Sequence, residues 1–304
     1  MPSEKPVDLP IDRARRLVAG EVTRLVMGDH QPSSERRDSH HDDDPGLFGP
    51  ESVTWKLHGD FCLLAGGLRA LMLQTMHPLA MAGVADHSDY RTDPLGRLAN
   101  TSAYVGTTVF GTTAEAAAAV ATVKRVHRRV VGVAPDGRPY DANDPHLLTW
   151  VHHTLVDSFL RAYRRYGSKP VSDAEADRYV DEMAVMMDLF EGEPAARSVD
   201  ELRAYFRAVR PELRAGREAR ETMRFLLVPP LPLHTRAPYA MLVAAAVGLL
   251  PTSVRRQLWV PAVPMVDPLL VRPTCRVLFR TLDWVMAVGP ESPREPPEAL
   301  PIGA

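Results

Sequence analysis

An all-α fold is the class this sequence predicts, and three observations carry the prediction. Apolar residues recur at helical spacing through most of the chain, alternating β-branched runs are scarce, and no two-residue hairpin signal interrupts the pattern. The 28 prolines cluster mostly at joints, as in "VPPLPLH" at 228–234, where a residue lacking an amide hydrogen ends a helix. At 304 residues and 45% hydrophobic content, the chain can bury the core of one large domain.

Taken in order, residues 1–29 read as an N-terminal helical extension, and 30–46, "HQPSSERRDSHHDDDPG", as a flexible linker with almost no apolar content. His40, His41 and Asp42 to Asp44 have ligand chemistry, but nothing apolar holds them, so a solvated loop is the reading there. The main domain is expected over 47–290, with one long apolar segment at 51–77 and helices at 95–110, 113–131, 145–166, 173–190, 198–209, 215–226, 237–250 and 266–288. A disordered proline-rich tail is expected at 291–304.

Composition excludes several functions. A formal charge of −2 with interspersed signs gives no basic stripe for nucleic-acid phosphates. Two cysteines cannot build a disulfide framework, a thiolate zinc site or an iron–sulfur site, and they suit a reducing cytoplasm. No apolar core of a signal peptide opens the chain, so a cytoplasmic location is expected. The apolar run "APYAMLVAAAVGLLP" (237–251) is shorter than the roughly 20 residues that span a bilayer. It reads as a buried helix, or as an interfacial one in peripheral contact with a membrane or guarding a greasy pocket. Nucleophile-elbow, P-loop, dinucleotide, zincin and C-x-x-C motifs are absent, and without E-x-x-H a ferritin-like di-iron bundle is disfavoured.

Three helical stripes carry candidate chemistry. Val120, Val123, His127, Val130 and Val131 stand at offsets 0, 3, 7, 10 and 11, which turns His127 inward and leaves Lys124, Arg125, Arg128 and Arg129 on the flanks. A buried imidazole left unsatisfied costs about 1–3 kcal/mol, so His127 needs a hydrogen-bond partner or a metal, and periodicity leaves both open. Leu148, His152, Leu155 and Phe159, at offsets 0, 4, 7 and 11, turn His152 inward and His153 away, making His152 a second candidate ligand or a partner for one. Arg97, Thr101, Tyr104 and Thr108 share a polar face, and the opposite positions Asn100, Ser102 and Gly106 are no more apolar, as on a helix lining a polar-edged cavity.

Upstream, "LMLQTMHPLAMAGVADHSDYRTDPLGRL" carries His77, Asp86, His87, Asp89 and Asp93. Pro78 disfavours helical geometry at His77 and so places it at a helix end or kink. A non-haem metal site using His77, His87 and Asp89 is one reading of this stretch, and loop capping by Asp and Ser is the other. Gly66 and Gly67 inside an apolar helix mark close approach by a backbone or a flat ligand.

The blocks "LQTMHPLAMAGVADHSDYRTDPLGRLANT", "VKRVHRRVVG" and "WVHHTLVDSFLRAYRRYG", with the run of helices, resemble the MpaB and rubber-oxygenase (latex-clearing protein) catalytic domain family over roughly 47–290. The resemblance implies one globular helical domain enclosing a b-type haem pocket, with globin-like helix packing, and dioxygen chemistry on a hydrophobic, alkene- or isoprenoid-like small molecule. It implies that Arg97 and Thr101 lie near the haem as an arginine–threonine pair, and that His127 is the proximal iron ligand, in a hydrophobic-His-x-x-Val pattern. His152 is the competitor for that role, and His77 and His87 are expected to shape the pocket. In the rubber oxygenases a lysine precedes the threonine and can occupy the distal iron site; here Asn100 stands in its place, which removes that ligand. Those enzymes are secreted, so polyisoprene is not the expected substrate. A haem or lipid binder without turnover and a non-haem metal hydrolase are the two competing readings.

Overall fold

Side-chain caps and prolines divide the chain into helices. The computed structural model describes residues 10–27, 44–88, 94–231, 233–260 and 267–287. Helix α1 spans Pro10–Met27. Ser52 opens α2 (Val53–His58) by accepting from the Trp55 amide, and a turn at 59–62 separates it from α3 (Leu63–Gln74). Asp60 holds that turn, accepting from the Cys62 and Ser168 amides at 2.9 and 2.7 Å. Pro78 begins α4 (Pro78–His87), with extended backbone at His77. Helix α5 spans Pro94–Phe110, and a Thr112–Glu115 capping box begins α6 (Thr113–His127).

A hairpin follows, β1 (Val131–Val133) antiparallel to β2 (Pro139–Asp141) with Gly132 opposite Tyr140. Asp144 and Pro145 then start α7 (Pro145–Tyr166), and a Ser172–Glu175 box starts α8 (Asp173–Phe190). Helix α9 (Val199–Ala208), a 3-10 turn (Arg210–Glu212), α10 (Arg217–Leu227), α11 (Leu233–Leu249) and α12 (Thr252–Gln257) come next. A π turn (Asp267–Val271) leads into α13 (Arg272–Met286). The protein is all-α apart from that hairpin, among the described residues.

Helix α7 is the axis of the domain and is buried on nearly every side. Helix α3 lies so close to it that a Cβ on Gly66 would meet Phe159 Cδ1 at 2.9 Å and the Ser158 carbonyl oxygen at 3.0 Å. Gly66 therefore serves backbone approach, whereas Gly67 has nothing nearer than Phe159 Cε1 at 3.8 Å. Beside it Arg69 is buried but fully supplied: it pairs with Asp157 at 2.8 Å and donates to Ser158 Oγ and the Leu249 carbonyl. One apolar cluster joins Leu57, Val120, Phe159, Tyr179 and Met183, and a second joins Met72, Met76, Trp150, Met223 and Ala246. The apolar run of α11 contributes Ala245, Ala246 and Leu249 to these clusters, in line with a buried helix. No described helix is long and apolar enough to cross a membrane.

Four expectations change. The 51–77 segment is two helices, and α4 and α12 are additional elements. The helix expected to 131 stops at His127, because the hairpin takes over the next residues: Ala142 N donates to the Val130 carbonyl at 2.9 Å. Val130 and Val131 thus leave the stripe, and Val131 is exposed. His153, expected to face away, is buried, since α7 packs against neighbours on both sides. The greater part of the 30–46 linker and all of the 291–304 tail lie outside the described residues. At the linker's end Asp44 accepts from the Thr113 amide and hydroxyl at 2.9 and 2.8 Å, anchoring it to the start of α6.

Candidate functional site

The valine stripe of α6 runs from buried Val120 through half-buried Val123 to half-buried His127, the last helical residue. The hairpin folds back over this helix end, with Asn143 Nδ2 donating to the Lys124 carbonyl at 3.4 Å. That return brings Asp141 and Ala142 against the imidazole. His127 Nδ1 is buried without a hydrogen-bond partner. Burial lowers the ring's pKa, and the Asp141 charge and Ala142 backbone oppose that without reversing it, so His127 is a neutral donor at pH 7. Arg125, Arg128 and Arg129 are exposed, and Lys124 pairs with Glu191 at 3.0 Å. A cleft of about 290 Å³ lined by His87, Arg125, Val126, Arg129 and Val130 opens beside them.

His152 is buried on α7, between Leu148 and Phe159, which share the apolar cluster of Val120 and Val123. Burial, with His153 beside it, lowers its pKa to about 3. Among the described residues no hydrogen bond reaches its ring, whose neighbour is the His153 ring at 5.5 Å. His153 is committed instead: Nε2 accepts from the Ala196 amide at 2.9 Å and the ring lies 4.2 Å from that of Tyr205. His58 on α2 is a further neutral imidazole, with Nε2 3.3 Å from the Tyr179 hydroxyl and a pKa lowered to about 3 by burial.

Helix α5 carries Arg97 and Thr101. The Arg97 side chain lies outside the described residues, and Thr101 is exposed. Two turns on, Thr108 donates its hydroxyl to the Tyr104 carbonyl at 3.0 Å, so its polarity is spent locally. Half-buried Tyr104 packs with Val123 against the core, and burial raises its phenol pKa.

His77 lies against the first turns of α7. Its Nε2 is 3.4 Å from Glu212 Oε2, which is also 2.9 Å from His146 Nε2, and the Trp150 ring lies beside it. Burial lowers the His77 pKa. At His146 burial works in the same direction, but Glu212 and Glu193 outweigh it and raise the pKa. His87 is at the far end of α4, a ten-residue helix and so about 15 Å away. There it meets the Tyr140 hydroxyl at 3.1 Å, which in turn donates to Asp86 at 2.6 Å. The structure thus does not join His77 to His87, and Asp89 lies outside the described residues. His146, Glu193, Glu212 and Asp141 escaped the sequence reading, because no spacing rule links residues so distant in the chain.

An all-α domain whose core-facing stripes carry neutral imidazoles offers donors that a metal or cofactor can use. Over residues 55–284 the chain matches the family described as ER-bound oxygenase mpaB/B'/Rubber oxygenase, catalytic domain. The match takes in most of its 304 residues, and the chain belongs to that oxygenase family. No curated protein and no solved structure compared with the chain matches it.

Proposed function

We propose that the protein is a haem-b-dependent oxygenase that uses dioxygen to oxidise or cleave a hydrophobic, alkene- or isoprenoid-like small molecule, with His127 as the residue that would hold the iron. The observation that carries this reading is the neutral His127 ring, whose buried Nδ1 has no hydrogen-bond partner, at the inward end of an apolar stripe. Such a ring would suit iron ligation, and the nearby Asp141 charge would favour a ligating imidazole electrostatically. Haem iron would supply dioxygen binding and activation.

The chain's own groups supply the rest. Tyr104, Val123 and Leu155, partly buried against one core, are the apolar side chains that would favour a greasy substrate. Arg97 and Thr101, assigned by the family resemblance, are the residues that would donate hydrogen bonds beside the haem and carry the catalytic role. Asn100 supplies no amine to the iron. His152 is the alternative axial donor, and a cytoplasmic location belongs to the same reading. The test is oxygen uptake by the haem-loaded protein with a soluble isoprenoid alkene. Wild type is expected to consume oxygen and form carbonyl products, with His127→Ala losing both; ligand-induced spectral change without product would make the protein a carrier.

A further inference from the structure

Three segments distant in the chain converge on one carboxylate oxygen. His77 caps α4, His146 lies in the first turn of α7, and Glu212 ends the 3-10 turn after α9. Glu212 Oε2 is 2.9 Å from His146 Nε2 and 3.4 Å from His77 Nε2, and one donor atom of each residue lies within 4.8 Å of the other two. Zinc bonds of about 2.0–2.1 Å place tetrahedral donors roughly 3.3 Å apart, close to the spacing found here.

The donors are held by their surroundings. The His77 side chain is 2% exposed and its ring lies against fully buried Trp150. Arg214 N donates to the Met76 carbonyl at 2.8 Å, which fastens the Glu212 turn beside His77. Asp144 fixes the start of α7 by accepting from the His146 and Leu147 amides. Glu193 Oε2 lies 3.3 Å from His146 Nδ1, where a metal-bound imidazole commonly finds an orienting carboxylate. An ion pair between His146 and its two glutamates explains those three residues. A hydrogen bond from His77 Nε2 to the same oxygen brings a second, buried imidazole into the cluster. Two carboxylates face the two imidazoles, and a divalent cation would offset their negative charge in the place of a proton on His146.

We propose that His77, His146 and Glu212 bind a divalent transition-metal cation, zinc by donor type, with Glu193 orienting His146 and the fourth position open to water. The ion clamps the starts of α4 and α7 to the turn before α10. None of these residues is His127 or His152, so zinc binding and haem binding are tested separately.

The test is calorimetric titration of untagged, chelator-stripped full-length protein with zinc, together with thermal unfolding. Wild type and His127→Ala are expected to bind one equivalent and to gain in Tm. His146→Gln and Glu212→Gln lose that equivalent, Glu193→Gln weakens it roughly 10- to 100-fold, and His87→Gln leaves it unchanged. His146 and Glu212 are part-exposed, and far-ultraviolet circular dichroism confirms that their variants fold; should one fail to fold, the other and Glu193→Gln decide. Wild type that takes up no zinc, or Glu212→Gln and His146→Gln that bind as wild type does, would overturn the proposal.

Discussion

Arg69 and His127 show the two fates of a polar side chain placed inside this domain. Arg69 has a partner for each part of its guanidinium, and Asp157 carries the countercharge. Asp157→Ala leaves a buried cation unpaired, so we expect a loss of about 3–5 kcal/mol in urea denaturation. Asp157→Asn, which keeps an acceptor, is expected to lose less. His127 differs: its Nδ1 is buried without a hydrogen-bond partner, while the Ala142 backbone and the Asp141 charge act on the ring. Its inward direction was legible from Val120 and Val123 at helical spacing, but its want of a partner was not, and the iron came from family resemblance alone. The cluster at Glu212 was illegible because its histidines stand 135 and 66 positions away in the chain.

At the scale of elements, the contact of α3 with α7 gives a matched pair of predictions. Gly66→Ala pushes a methyl group against Phe159 and the Ser158 carbonyl and is expected to destabilise by about 1–3 kcal/mol. Gly67→Ala, with space around it, is expected to gain up to about 1 kcal/mol from helix propensity. Opposite signs in thermal or urea unfolding would confirm the placement; two losses of similar size would contradict it. The glycine pair announced close approach in the sequence, and packing resolved which of the two makes it. Helix ends were legible where caps are local, as at Thr112–Glu115 and Ser172–Glu175. The end of α6 was not, because periodicity continues through Val130 and Val131 while the hairpin that captures those residues is anchored twelve positions on, at Ala142. β-Branched valines give up a helix cheaply once a strand partner is present.

The whole molecule titrates in two opposed senses. Burial holds His58 and His152 at pKa values of about 3, and His153 at about 4, all below the ordinary 6.5. The unfolded chain therefore binds protons that the native state refuses. Stability is fully present above about pH 6.5 and is lost as pH falls through about 4 to 3, with a slope steeper than a single proton would give. Asp283 runs the other way, since burial raises its pKa from 3.8 to about 6. Its contribution is present below about pH 4 and is lost as pH rises through 6. Asp283→Asn keeps the acceptor for the Phe61 amide and removes the charge. It is expected to stabilise the protein at pH 8 by about 1 kcal/mol, discounted for the solvent that reaches the half-buried group. At pH 4 that advantage should vanish; an equal gain at both pH values would contradict the assignment.

The all-α class and the family were both readable before any coordinate was known, because they rest on a pattern repeated across the chain. The proposed haem rests on one side chain. The visible spectrum of protein purified from haem-supplemented cells tests it most directly. A Soret band in wild type that is lost or displaced in His127→Ala and retained in His152→Ala is the predicted result. Wild type without a Soret band, or a His127→Ala spectrum that matches wild type, would contradict it.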